Sequence, residues 1–132
     1  MKARKILLKK FTQVDPFSKE IVKDEQGNPA YFSYRQQLWF ILRTPSQNQA
    51  MTTEELMQRA QVQFILEGAE DNKAMFLDQS QYEVLKRVLD TFKWTVASRT
   101  MAQMIEDVRN AEEVPLQPKE KDEEKATPSN PG

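Results

Sequence analysis

Apolar positions change their spacing along the chain, and the change marks where extended structure gives way to helix. The run Ile6-Leu7-Leu8-Lys9-Lys10-Phe11-Thr12-Gln13-Val14 is rich in β-branched and aromatic residues and ends at Asp15-Pro16, the pattern of a strand. A second short run, Glu20-Ile21-Val22, precedes Lys23-Asp24-Glu25-Gln26-Gly27-Asn28-Pro29, a turn in which Gly27 and Asn28 tolerate positive φ and Pro29 cannot donate to a ladder. Ala30-Tyr31-Phe32 then returns as a strand, expected to form a small hairpin with residues 20–22.

From Ser33 onward the period is helical. Ser33 with Gln36 three residues later has the form of a capping box, and Tyr34, Leu38, Ile41 and Leu42 share one face until Thr44-Pro45. Thr52-x-x-Glu55 opens a second helix with Leu56, Ala60 and Phe64 on one stripe and Met57 and Ile65 beside it, closed by Gly68. Asp78 caps a third, with Tyr82, Leu85, Val88, Leu89 and Phe92 at spacings of three and four. Met75-Phe76-Leu77, just before that cap, reads as one more strand or as a segment plugging the core. A fourth helix, from about Ser98 to Asn110, carries Met101, Met104, Ile105 and Val108 on one side. Helices this short are marginal alone, so the expected fold is a single α+β domain, mainly helical, with about four packed helices and a small N-terminal β element.

That domain is expected to span residues 1–111. Beyond it, Pro115, Pro118, Pro128 and Pro131 supply four of the seven prolines, and Lys119–Lys125 is nearly all charge, so 112–132 reads as a disordered tail. With 132 residues there is room for one core.

Composition narrows the chemistry. With no cysteine and no histidine, thiolate and imidazole catalysis, the usual zinc sites and disulfides are excluded. Three isolated glycines cannot write a phosphate-cradling or dinucleotide loop, so no cofactor site is expected. Carboxylates remain. Glu54-Glu55 fits the dipole of a helix start, Glu67-Gly68-Ala69-Glu70-Asp71 fits a polar loop, and neither these nor Asp24–Asn28 follow the oxygen-ligand spacing of a calcium loop. The chain is therefore read as a binding protein rather than an enzyme. No apolar run approaches the 18 or so residues of a membrane span, and the expected location is the cytoplasm.

Two surfaces carry the binding expectation. Tyr31, Phe32, Tyr34, Trp39 and Phe40 are densely clustered, and Trp39 and Phe40 turn about 100° per residue away from the stripe of Leu38, Ile41 and Leu42. Tyr31, Tyr34, Trp39 and Phe40 are thus candidate contacts for a protein partner, the other reading being that they pack under the N-terminal strands. The net charge of -1 conceals five bases in the first ten residues, Lys2, Arg4, Lys5, Lys9 and Lys10. These are the candidate contacts of the alternative function, binding of nucleic-acid phosphates, against the plainer reading of lysines guarding an edge strand. Trp94 is expected to plug the corner between the third and fourth helices, and Met101, Met104 and Ile105 serve either as core or as an adaptable groove.

The order of these signals resembles a family of small tailed-bacteriophage proteins that carry no assigned function. The likeness runs over about residues 4–109, through Asp24-Glu25-Gln26-Gly27-Asn28-Pro29, Tyr34-Arg35-Gln36-Gln37-Leu38, Met51–Ala60, Phe76-Leu77-Asp78 and Tyr82–Leu89. The chain departs from it at Tyr31-Phe32-Ser33-Tyr34, where a Thr-Leu helix start is expected, and in its charged tail. The resemblance brings no catalytic residues. It implies a bacteriophage origin and a non-enzymatic role, with a phage structural protein or a host protein as partner, in virion assembly or in engaging the host, and hence a site of action in the bacterial cytoplasm or the virion.

Overall fold

The computed structural model describes residues 2–45 and 50–115. In chain order they form β1 (Lys2–Leu7), β2 (Lys10–Thr12), β3 (Tyr31–Ser33), α1 (Tyr34–Arg43), α2 (Thr53–Gly68), β4 (Ala74–Asp78), α3 (Gln79–Thr91), α4 (Arg99–Arg109) and β5 (Glu112–Pro115). This is an α+β fold with four helices among the described residues.

The expected caps form at Ser33, Thr52 and Asp78, and Ser98, expected only as the approximate start of the fourth helix, caps it as well. Ser33 Oγ accepts from the Gln36 amide, Thr52 Oγ1 from that of Glu55, and Ser98 Oγ from that of Met101, each supplying a helix start with an acceptor it lacks. Asp78 and Gln81 close a full reciprocal capping box on α3.

The β structure differs from expectation in three ways. First, the long N-terminal run is two strands in two sheets. Leu8 exchanges backbone hydrogen bonds with Lys73 and Asn72, and Asn72, at φ 63°, also accepts the Lys10 amide on its side chain, so the chain is passed from one sheet to the other at a buried leucine. Second, β1 is the centre of a three-stranded antiparallel sheet in the order β4-β1-β5, so the β layer is not confined to the N-terminus. Met75-Phe76-Leu77 is a strand, and residues 112–115, expected in the tail, pair Glu113 with Arg4 and Val114 with Ala3. Two acids followed by Val-Pro suffice there once an edge offers ladder partners, so the domain runs past 111 to Pro115; the rest of the expected tail lies outside the described residues.

Third, β3 pairs with β2, not with residues 20–22. Those residues join a three-way junction in which the Gln13 amide donates to Ala30 O (2.9 Å), the Val22 amide to Gln13 O (2.9 Å) and the Ala30 amide to Val22 O (2.8 Å). Two small loops project from it. In one, Asp15 Oδ1 accepts the amides of Phe17 and Ser18; in the other, Asp24 Oδ1 accepts those of Gln26 and Asn28 around Gly27 at φ 83°.

The core lies between the sheet and the helices. It takes Ile6 and Leu8 from the N-terminal strands, Met75 and Leu77 from β4, Leu38, Ile41 and Leu42 from α1, Tyr82, Leu85, Val88 and Leu89 from α3, and Met104 and Val108 from α4. Those faces of α1 and α3 are the expected ones, except that Phe92 is half-buried. In α2 the expectation fails. The buried residues are Arg59, Val62 and Leu66, and the stripe of Leu56, Ala60 and Phe64 faces solvent. The reason is polar. The Arg59 guanidinium donates to the carbonyl oxygens of Leu42 (3.2 Å) and Thr44 (2.7 Å), filling the open C-terminal end of α1, and pairs with Glu55 at 2.7 Å. That demand sets the rotation of α2 about its axis.

Candidate functional site

A groove of about 370 Å³ runs between α1 and the C-terminal end of α2, lined by Arg35, Gln36, Trp39, Phe40, Leu66 and Glu67. Helical spacing brings Arg35, Gln36, Trp39 and Phe40 to one side of α1, away from the buried stripe. Trp39 and Phe40 meet edge to face with ring centroids 5.3 Å apart. The indole Nε1 donates to Glu67 Oε2 at 2.8 Å, which holds the ring at its tip, and Gln63 Nε2 donates to the Trp39 main-chain carbonyl at 3.3 Å. Trp39 is half-buried and Phe40 is 51% exposed.

Arg35 closes the groove at one end. Its Nε donates to Leu66 O (2.8 Å) and its Nη2 to Glu67 O (3.3 Å), placing a cation at the negative end of α2. Its third nitrogen lies 3.9 Å from Asp71, which also receives Lys10 at 3.7 Å and the Ser33 hydroxyl at 3.1 Å. Lys10 in turn lies 5.0 Å over the ring of Tyr31. The chain Tyr31, Lys10, Asp71, Arg35 thus connects the exposed Tyr31 to the groove.

Of the four candidate docking residues, Tyr31, Trp39 and Phe40 reach the surface and Tyr34 does not. Tyr34 is 1% exposed, a core residue whose hydroxyl donates to Asp107 Oδ2 at 2.6 Å. It begins α1 directly after a strand residue, and its ring is drawn inward to bond α4. Burial and the Asp107 carboxylate push the Tyr34 phenol well above its ordinary value. Burial alone would raise Asp107, but hydrogen bonds from Tyr34, Gln103 and Lys9 outweigh it and hold the carboxyl below its usual range.

The five N-terminal bases do not form one cationic surface. Arg4 lies over the Tyr82 ring (4.7 Å) and donates to Ala111 O (3.1 Å); Lys9 pairs with Asp107 (3.3 Å) and Lys10 with Asp71. Lys2 and Lys5 are left exposed, and Lys5 lies opposite Glu112 in the β1-β5 ladder. Alternation along a strand separates them, and neighbouring acids neutralise two of them, Lys9 and Lys10.

Carboxylates are engaged the same way: Glu55 binds Arg59 and Arg87, and Asp90 binds Arg109. Among the described residues no group of three acids, cysteines or histidines could hold a metal ion.

Sequence reasoning missed three surfaces. Arg35, Leu66 and Glu67 become groove walls through the packing of α1 on α2, which leaves no local signal. Trp94, expected as a corner plug, is 40% exposed, tilted against Phe92 and lining an open groove with Met101, Ala102 and Ile105; the short link between α3 and α4 leaves it outside the core. The outward stripe of α2 was legible as apolar, but its exposure was not. No helix of the described chain is long and apolar enough to cross a membrane. No protein-family model matches the chain, and neither a curated protein nor a solved structure does.

Proposed function

We propose that this chain is a non-enzymatic, bacteriophage-encoded protein–protein interaction protein that assists virion assembly or engages a host factor in the cytoplasm by seating a partner on the Trp39–Phe40 groove. One observation carries the reading: a half-buried Trp39 whose indole is already held by Glu67 and which meets an exposed Phe40 edge to face, so that docking costs little further ordering. Large aromatics held in place at a groove are the side chains that dominate binding energy at protein interfaces. The bacteriophage assignment is supported by the order of turn, cap and apolar signals along residues 4–109.

The test is affinity capture from bacteriophage-infected bacterial cells, with the partner identified by mass spectrometry and its affinity then measured on purified proteins. Phe40→Ala, at an exposed position, should melt like the parent and bind about tenfold more weakly. Undiminished affinity in Phe40→Ala and in a folded Trp39→Ala would overturn the groove. Capture of nucleic acid instead, abolished by Lys2→Gln with Lys5→Gln, would overturn the protein-partner reading in favour of phosphate binding.

A further inference from the structure

β1 and β4 pair from Ala3 opposite Asp78 to Leu7 opposite Ala74, and the Leu8 amide extends the ladder one step by donating to Lys73 O at 3.0 Å. Directly bonded pairs alternate with unbonded ones in an antiparallel ladder, so Met75 and Leu77 bond to β1 while the backbone groups of Ala74, Phe76 and Asp78 point the other way. With the strand order β4-β1-β5, that way is the open edge of the sheet. The Asp78 amide is taken there by Gln81 Oε1 at 3.0 Å. The N–H and C=O of Ala74 and Phe76 have no partner among the described residues, and Phe76 is 51% exposed. The opposite edge is blunted, because the same alternation turns outward from β5 only Glu113 and Pro115, an acid and a residue without an amide hydrogen. β4 has neither device from Ala74 to Leu77.

Beside this edge α2 supplies a floor. The chain turns from α2 through residues 69–73 straight into β4, which runs back along the helix for about 17 Å, the rise of about eleven helical residues. Gln81, at the far end of β4, accordingly borders Met57, Ala60, Gln61, Phe64 and Ile65 around a groove of about 400 Å³. Because α3 packs on both β1 and β4 and α2 packs on β4, the helical layer extends past the sheet on the side of the open edge. Phe64 is 76% and Met57 61% exposed there, and the one charge between Leu56 and Leu66 is the buried Arg59.

The two features together select the occupant. Unpaired amides and carbonyls in a row are matched by an extended backbone and not by a helix, whose own are already used. An uncharged floor beneath that backbone calls for apolar side chains at every second position. A second copy's β4 would bring its own α2 to the same floor, and residues 116–132 offer, beyond their prolines, only Leu116 and Ala126 as apolar side chains. We propose that the open edge of β4 takes up an extended segment of a different protein as a fourth strand, antiparallel to β4, with alternate apolar side chains laid on the α2 row. This surface is distinct from the Trp39–Phe40 groove and does not depend on it.

The probe is a labelled synthetic peptide of about seven residues in which valine and threonine alternate, with a lysine at each end for solubility. A twin carries N-methyl groups on its threonines, whose amides face β4 when the valines lie on α2. Titrated with the full chain in fluorescence polarisation, the first peptide should bind saturably and the twin at least about tenfold more weakly, with the protein itself unaltered. Phe76→Pro removes the central outward amide and should abolish binding; Phe64→Ala should weaken it about tenfold, and Phe40→Ala should leave it unchanged. Thermal melts confirm that each variant is folded, and the methylated twin decides the case if Phe76→Pro is not. Absence of saturable binding, equal affinity for the two peptides, or insensitivity to a folded Phe64→Ala would overturn the proposal. So would dimerisation in sedimentation that a folded Phe76→Pro abolishes, because the edge would then belong to a second copy.

Discussion

Arg59 donates from Nε to Glu55 Oε2 at 2.7 Å, one helical turn back along α2, and is itself only 3% exposed. The pair is more than an exposed i,i+4 contact, because the rest of the guanidinium is spent on the last carbonyls of α1 and Glu55 holds Arg87 of α3 at 2.6 Å as well. Three helices therefore meet on two side chains.

Replacing Arg59 by alanine should cost about 2–3 kcal/mol, since it strands buried carbonyl acceptors at the end of α1. Arg59→Lys should recover only part of this, because an ammonium cannot reproduce the planar fork that reaches Glu55 and the two carbonyls together. Chemical denaturation of both variants checks the order parent, lysine, alanine; a lysine variant equal to the parent would show that charge alone suffices.

The same cluster sets the response to acid. Burial raises Glu55, but the Arg59 hydrogen bond and the charges of Arg87 and Arg59 prevail and hold it below its ordinary 4.5; Asp107 is likewise held below 3.8 by Tyr34, Gln103 and Lys9. Both carboxyls are depressed in the folded state, so the unfolded chain binds more protons in this range. Their contribution is complete above the ordinary values and is lost as pH falls below 4.5 and then through the lower folded-state values. Urea midpoints followed from neutral pH down to about pH 3 should fall in that window, and the double variant Glu55→Gln with Asp107→Asn should show a shallower fall.

Leu85 lies fully buried at the centre of the α3 face. Leu85→Ala should cost about 2–5 kcal/mol through lost burial and the cavity left behind. Calorimetry should then show a lowered Tm, and an unchanged one would mean that the site collapses without loss.

The C-terminal boundary is testable by truncation. A chain ending at Ala111 lacks β5 and exposes the edge of β1 from Lys2 to Lys5, whereas one ending at Pro115 keeps every ladder partner. The shorter chain should melt lower, by about 1 kcal/mol or more of lost hydrogen bonding. Equal melts would show that β5 contributes nothing to the sheet.

What the amino-acid sequence determined by itself is local: the helix starts at Ser33, Thr52, Asp78 and Ser98, because a capping side chain acts on an amide three residues away, and the buried faces of α1 and α3, because one apolar stripe dominates each. α2 carries apolar residues on more than one side, so periodicity pointed to the stripe of Leu56, Ala60 and Phe64, whereas the face with Arg59, which reaches the distant α1 carbonyls, is the one buried. Tertiary structure likewise decided that Tyr34 turns inward to Asp107, that Lys9 and Lys10 are neutralised by acids 98 and 61 positions onward, that residues 112–115 complete a sheet begun at Lys2, and that Trp39 meets Glu67 at a groove. Each depends on a partner far along the chain. Such pairings are set by which surfaces meet when the core closes, and the residues at either end carry no local mark of them.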